Sequence, residues 1–191
     1  MNLQELMNPK LIVLAALVIV VLVAITWLYR RRRRAATAGL RQRFGPEYER
    51  AVQKHGSERK AESKLVDRAK RVEKLKLRDL APAEQEHFSS EWHSVQSRFV
   101  DYPKGAVTQA DELVSSLMKA RGYPVGDFDQ RAADISVDHP HVVENYRSAH
   151  GIALQLGRGE ASTEDLRTAM IHYRSLFEEL VQGATEKKEA A

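Results

Sequence analysis

From Leu11 to Tyr29 the chain runs nineteen residues without a charged side chain, and nearly all of them are Leu, Ile, Val or Ala. As a helix this run is about 28 Å long, close to the roughly 30 Å hydrocarbon core of a bilayer. Trp27 and Tyr29 stand at its C-terminal end, where amphipathic rings favour the headgroup level. A cleaved signal peptide is the rival reading, with Ala36-Thr37-Ala38 as a small-residue cleavage site. Signal peptides, however, carry an apolar core of about 7 to 15 residues preceded by positive charge. Here the run is longer and the positive cluster follows it. The sequence therefore predicts an uncleaved transmembrane helix.

The flanks set its orientation. Lys10 and Glu5 are the only charged side chains before the run, whereas Arg30, Arg31, Arg32, Arg33 and Arg34 follow it at once, with Arg41 and Arg43 beyond. The positive-inside rule then places the C-terminal side in the cytoplasm and the short N-terminus outside. The same five arginines are candidates for contact with anionic headgroups, at roughly 1 kcal/mol per charge near the surface; their plainer role is a stop-transfer signal. No Gly-x-x-x-Gly pattern offers a helix-pairing face in the span.

Charge elsewhere is balanced but unevenly placed. The chain has 191 residues, 30 basic and 26 acidic, yet residues 35–191 hold 24 basic against 25 acidic. The basic pI of about 9.3 thus comes from the arginine cluster and does not mark a nucleic-acid binder. Residues 41–80 are net +6 and residues 81–191 net −7. The absence of cysteine excludes disulfides, thiolate metal sites and a cysteine nucleophile.

Pro and Gly punctuate the polar remainder, and the segments between them read as helices. Pro46 opens a short helix to Gln53, closed by Gly56. Ser57 caps a basic helix to about Leu80, with Leu65, Ala69 and Val72 on one face, which either packs weakly or projects as a stalk. Pro82 begins a helix with Phe88, Trp92, Val95 and Phe99 at spacings of 4, 3 and 4; Ala110, Leu113, Val114, Leu117 and Met118 mark the next, ended by Gly122. A short segment spans 127–134, Asp138 caps a helix carrying Val143, Tyr146 and Ile152, and Ser162 or Thr163 caps the last, from Leu166 to Leu180.

The fold class expected is all-α: a short N-terminal segment (1–10), the transmembrane helix (11–29), a basic juxtamembrane linker with a short helix (30–56), a charged amphipathic helix (57–80), a small antiparallel helical bundle (81–182) and a flexible tail (183–191).

Arg43-Phe-Gly-Pro-Glu-Tyr48, Arg71-Val-Glu-Lys-Leu75, Ser97-Arg-Phe-Val-Asp101, Arg121-Gly-Tyr-Pro124, Ser136-Val-Asp-His-Pro140 and Thr163-Glu-Asp-Leu-Arg167 occur in that order. As a string they resemble a family of uncharacterised bacterial membrane or secreted proteins. The resemblance covers most of the chain after Gly39 and implies a bacterial inner-membrane origin. It implies no activity and adds no catalytic residue.

The densest polar stretch is Arg131 to His150. Asp138, His139, His141 and Glu144, with Arg147 and His150 beyond, are the candidates for proton transfer or metal binding, since acids and imidazoles gather there around a helix start. The competing reading makes Asp138 a cap, Pro140 a turn and the histidines surface groups; no His-Glu-x-x-His is present. Glu84-Gln-Glu-His87 matches half of a di-iron motif, without a second copy. Nucleotide-binding glycine loops and Gly-x-Ser-x-Gly elbows are absent. No catalytic residue, metal or cofactor is therefore assigned. The basic helix, Ser57 to Arg78, holds nine basic and four acidic residues and no aromatic. That pattern suits anionic lipid or an acidic protein partner better than nucleic acid, whose binding adds stacking aromatics; its plainest reading is a solvated face with pairs such as Asp67 with Arg71. The functional expectation is a non-enzymatic interaction or scaffold module at the membrane. The alternatives are a ligand-binding or enzymatic bundle centred on Asp138–His150 and, last, a membrane-tethered nucleic-acid binder.

Overall fold

The structure, a computed structural model, describes residues 9–124 and 126–189; the side chains of residues 9–12, 15, 16 and 183–189 fall outside the description. The fold is all-α, with eight helices and no strand among the described residues. They are α1 (Pro9–Phe44), α2 (Pro46–His55), α3 (Glu58–Glu73), α4 (Pro82–Arg98), α5 (Pro103–Ala120), α6 (Phe128–Asp138), α7 (Val143–Gly157) and α8 (Thr163–Glu189). The chain divides into two compact units, Met1–Gln42 and Arg43–Ala191.

The first unit is the greater part of α1, one unbroken helix through the apolar run and the arginine cluster. Among the described residues no helix is long and apolar enough to cross a membrane. The expected span begins at Leu11, and the side chains of Leu11, Ile12, Ala15 and Ala16 lie outside the described ones. The uninterrupted described run, Leu17 to Tyr29, is only about 20 Å long before the arginines begin. The expected N-terminal segment also lies largely outside the described residues.

The second unit is a helical bundle. Pro46, Pro82 and Pro103 occupy first-turn positions of α2, α4 and α5, where the missing N–H is no loss. Ser57 caps α3 by accepting from the Lys60 N–H, and Ser162 and Asp165 exchange cap bonds at the start of α8. α4, α5, α7 and α8 pack together around a core that includes Phe88, Trp92, Leu113, Leu117, Tyr146, Tyr173, Leu176 and Leu180. Each fully buried side chain of this size contributes about 1.5–3 kcal/mol. Trp92 stacks on Phe177 with ring centroids 4.8 Å apart, so the aromatic stripe of α4 is core. A second buried group, Phe44, Tyr48, Ala51, Ala61, Leu65 and Val72, joins α2 to α3.

Four boundaries differ from the sequence reading. α3 stops at Glu73, not Leu80, because Leu75, Leu77 and Leu80 then alternate with Lys76, Arg78 and Asp79 and turn their side chains to the core in an extended connector. The stalk alternative for this helix is overturned: it lies on α2 and α6 with one face buried. The segment at 127–134 is the start of α6, capped by Asp127 and running through Asp138. Asp138 therefore ends a helix and does not cap the next; Pro140 bars helical geometry from His139, and α7 opens only at Val143. Finally, α8 continues through Glu189, past the expected start of a tail at residue 183.

Gly122, just after α5, has φ +94° and faces the connector: a Cβ there would stand 2.5 Å from the Lys76 carbonyl oxygen. The close approach lets the Arg78 N–H reach the Arg121 carbonyl at 3.0 Å.

Candidate functional site

Charged groups are buried in two places. The first lies where α2, α3, α6 and α7 meet. Glu47, 3% exposed, accepts from Arg68 Nη1 at 3.0 Å and from Arg147 Nε and Nη2, both at 3.1 Å. Arg68 Nη1 also donates to Ser136 Oγ at 2.7 Å. Beside it Asp134, fully buried, accepts from Arg71 Nε at 2.9 Å and from Gln130 Nε2 at 2.8 Å. Burial pulls the Arg68 guanidinium below its ordinary pKa, opposed by the hydrogen bond and charge of Glu47. Two guanidinia thus close on the one carboxylate of Glu47, and the network ties α2, α3, α6 and α7 together.

The second place is a cleft of about 310 Å³ lined by Leu77, Arg78, Asp79, Arg121, Tyr123, Asp138 and His139. Arg121, 5% exposed, donates from Nη1 to the Leu180 carbonyl at 2.6 Å and from Nη2 to Asp79 at 3.2 Å, and its buried Nε has no protein partner. The Tyr123 hydroxyl donates to Asp138 Oδ2 at 3.3 Å; burial, then the Asp138 charge, raise its pKa. His139 Nδ1 lies 3.1 Å from Glu179 Oε1, bridging the end of α6 to α8. Arg78 is held by both oxygens of Glu84, which together with the Ala81 N–H hold that carboxyl at about 2.

The six candidate residues between Asp138 and His150 are dispersed. Asp138 and His139 line the cleft, and Arg147 belongs to the Glu47 network. His141 is exposed, and Glu144 is an exposed partner of Arg50 at 3.5 Å. His150 stacks on Phe128 with centroids 3.6 Å apart and its Nδ1 unbonded; burial lowers its pKa. The stretch passes from α6 through a turn into α7, which sends its side chains to different faces. Among the described residues no three His, Cys, Asp or Glu side chains converge as a metal site. Glu84 and His87, the half-motif, are committed to Arg78 and Glu91. In the first unit, Arg30 to Arg34 are exposed on α1, with Arg31 over the Trp27 ring at 5.4 Å.

No family model, no curated protein and no solved structure matches this chain. The resemblance drawn from the sequence thus remains an expectation.

Glu47, Arg68, Arg71, Asp134, Arg121 and Tyr123 were not singled out from the sequence as site residues. Arg68 was visible in principle. It falls between Leu65 and Val72 on the α3 face buried at Ala61, Leu65 and Val72, a charged interruption of an apolar stripe. Glu47 and Arg147, 100 residues apart, carry no local signal of their pairing.

Proposed function

We propose that the chain is a membrane-anchored helical module that acts by interaction or scaffolding and not by catalysis. It sits at the bacterial inner membrane with its N-terminus outside and residues 43–191 in the cytoplasm. The observation that carries this reading is the state of α1: thirteen large apolar side chains between Val13 and Tyr29 are 46–66% exposed, on every side of the helix. A helix apolar all round seeks an apolar surrounding. The arginines that follow suit the cytoplasmic headgroup layer. A further support is that the buried carboxylates of Glu47 and Asp134 are each held by arginines of other helices, as in a rigid module.

Three measurements test it. Alkaline carbonate extraction should leave the chain in the membrane pellet; release to the supernatant would remove the anchor. The chain has no cysteine, so Ser89→Cys, at an exposed position of α4, gives one labelling site. A membrane-impermeant maleimide should label it only after lysis, and labelling of intact cells would reverse the orientation. The scaffold role predicts that detergent-solubilised chain co-purifies with a specific protein partner, and repeated failure to recover one counts against it.

A second reading, a ligand-binding or enzymatic bundle, rests on the cleft at Asp138 and His139 with its buried, incompletely bonded Arg121. It predicts that Asp138→Asn abolishes a cellular phenotype without lowering the melting temperature.

A further inference from the structure

The cations of α3 fall into two groups. Ala61, Leu65, Arg68 and Val72 form the face turned to the rest of the unit, and the guanidinia of Arg68 and Arg71 reach inward to Glu47, Ser136 and Asp134. At 100° per residue, Lys70 and Lys74 lie opposite that face and Lys60 and Lys64 on the flank that also carries Arg71, and all four are exposed. Arg59 and Lys76 are exposed beside them. None of these six cations forms an ion pair among the described residues, in contrast to Arg68 and Arg71. Of the exposed acids of the helix, Asp67 falls among these lysines and Glu58 and Glu73 on the opposite flank, so the lysine band stays net positive. The rest of the unit is the opposite, net −7 over residues 81–191.

We infer that this lysine face is a docking surface for the anionic phospholipid leaflet. From Lys60 to Lys74 it runs about 21 Å along the helix and covers about a third of its circumference, a band of charge that suits a flat surface of phosphates. No aromatic side chain interrupts α3, so a nucleic acid finds no stacking platform there. The inference rests on the membrane-anchor reading. If α1 is in the bilayer, the same chain keeps α3 near headgroups at high effective concentration, and several weak contacts hold together.

The test uses the full chain with one added cysteine, Ser63→Cys, exposed between Lys60 and Lys64, carrying an environment-sensitive dye. The protein is reconstituted into nanodiscs of phosphatidylcholine alone or with about 30% phosphatidylglycerol. In anionic discs the emission should shift to the blue and acrylamide quenching should fall by about twofold, and about 0.5 M salt should reverse both. Lys60→Gln/Lys64→Gln/Lys70→Gln/Lys74→Gln should abolish the difference while its circular dichroism melt stays that of the parent. If that variant melts early, Lys64→Gln/Lys70→Gln alone should halve the difference.

Equal quenching in the two kinds of disc overturns the inference and leaves the anchor standing. A chain that co-elutes with neither disc overturns the anchor, and the docking surface with it. Quenching that responds to an added DNA duplex and not to phosphatidylglycerol overturns it in favour of nucleic acid.

Discussion

Glu47 shows how a single side chain can govern much of the second unit. It is buried, and it is the carboxylate for Arg68 and Arg147, themselves only 16% and 11% exposed. Glu47→Gln leaves both guanidinia short of a counter-charge and should cost about 3 kcal/mol in urea unfolding. Glu144→Gln, which breaks an exposed pair with Arg50, should cost no more than about 0.5 kcal/mol. Equal costs would show that burial does not set the value of these pairs. His150 gives a pH prediction. Burial lowers its folded pKa below the ordinary 6.5, against the charges of Asp111 and Asp129 and with that of Arg131. The unfolded chain then binds the proton more readily, so stability is full above about 6.5 and falls as pH drops toward the folded value. His150→Phe keeps the stack on Phe128 and should shrink the loss of melting temperature between about pH 7.5 and 5.5. Identical losses in parent and variant would clear His150 as the source. Histidine and acid identities are legible in a sequence, but their environments are not. Asp138 to Glu144 are neighbours in sequence but not in space, because a helix end with a turn sends them apart.

Among the helices, the reading succeeded wherever backbone chemistry is local. Pro46 and Pro82 at helix starts, Ser57 as a cap and Gly122 as a stop act through bonds within a few residues. It failed at residues 74–81 and 134–138, where the core decides. Nothing local tells Leu75 and Leu77 to leave the helix; their side chains do so by packing against the bundle. Gly122 and Gly159 separate local from tertiary demands. Both have positive φ, +94° and +75°, but only Gly122 faces another strand of backbone. Gly159→Ala should cost about 1 kcal/mol for the left-handed conformation alone. Gly122→Ala meets the Lys76 carbonyl as well and should cost more than about 2 kcal/mol in thermal or urea unfolding. Similar costs would mean that the connector yields.

Across the whole molecule, the change in composition from apolar to highly charged falls at Tyr29–Arg30, whereas the division between the two units lies at Gln42, inside the linker expected over 30–56. Residues 43–191 hold their own core and both buried ion networks. Expressed without α1, they should melt in a single cooperative helical transition by circular dichroism; a broad, non-cooperative melt would show that they depend on the first unit. The packing of the α2–α3 pair through charge was not legible, because opposite charges in the abstract pair with anything. The apolar stripe marks Arg68, but only the fold brings the Arg71 guanidinium to Asp134 while the lysines beside it stay exposed.

The 100 residues between Glu47 and Arg147 also set a schedule. A ribosome adding about 5 to 20 residues per second makes Arg147 roughly 5 to 20 s after Glu47. Over most of that interval Arg68 has Glu47 within the α2–α3 pair, but Arg71 waits for Asp134, which is also late in the chain. Arg71 is then one extra cation on a nascent hairpin. Completion of α6 gives it a carboxylate, so the charge that the newborn pair presents is higher than the charge the finished pair keeps.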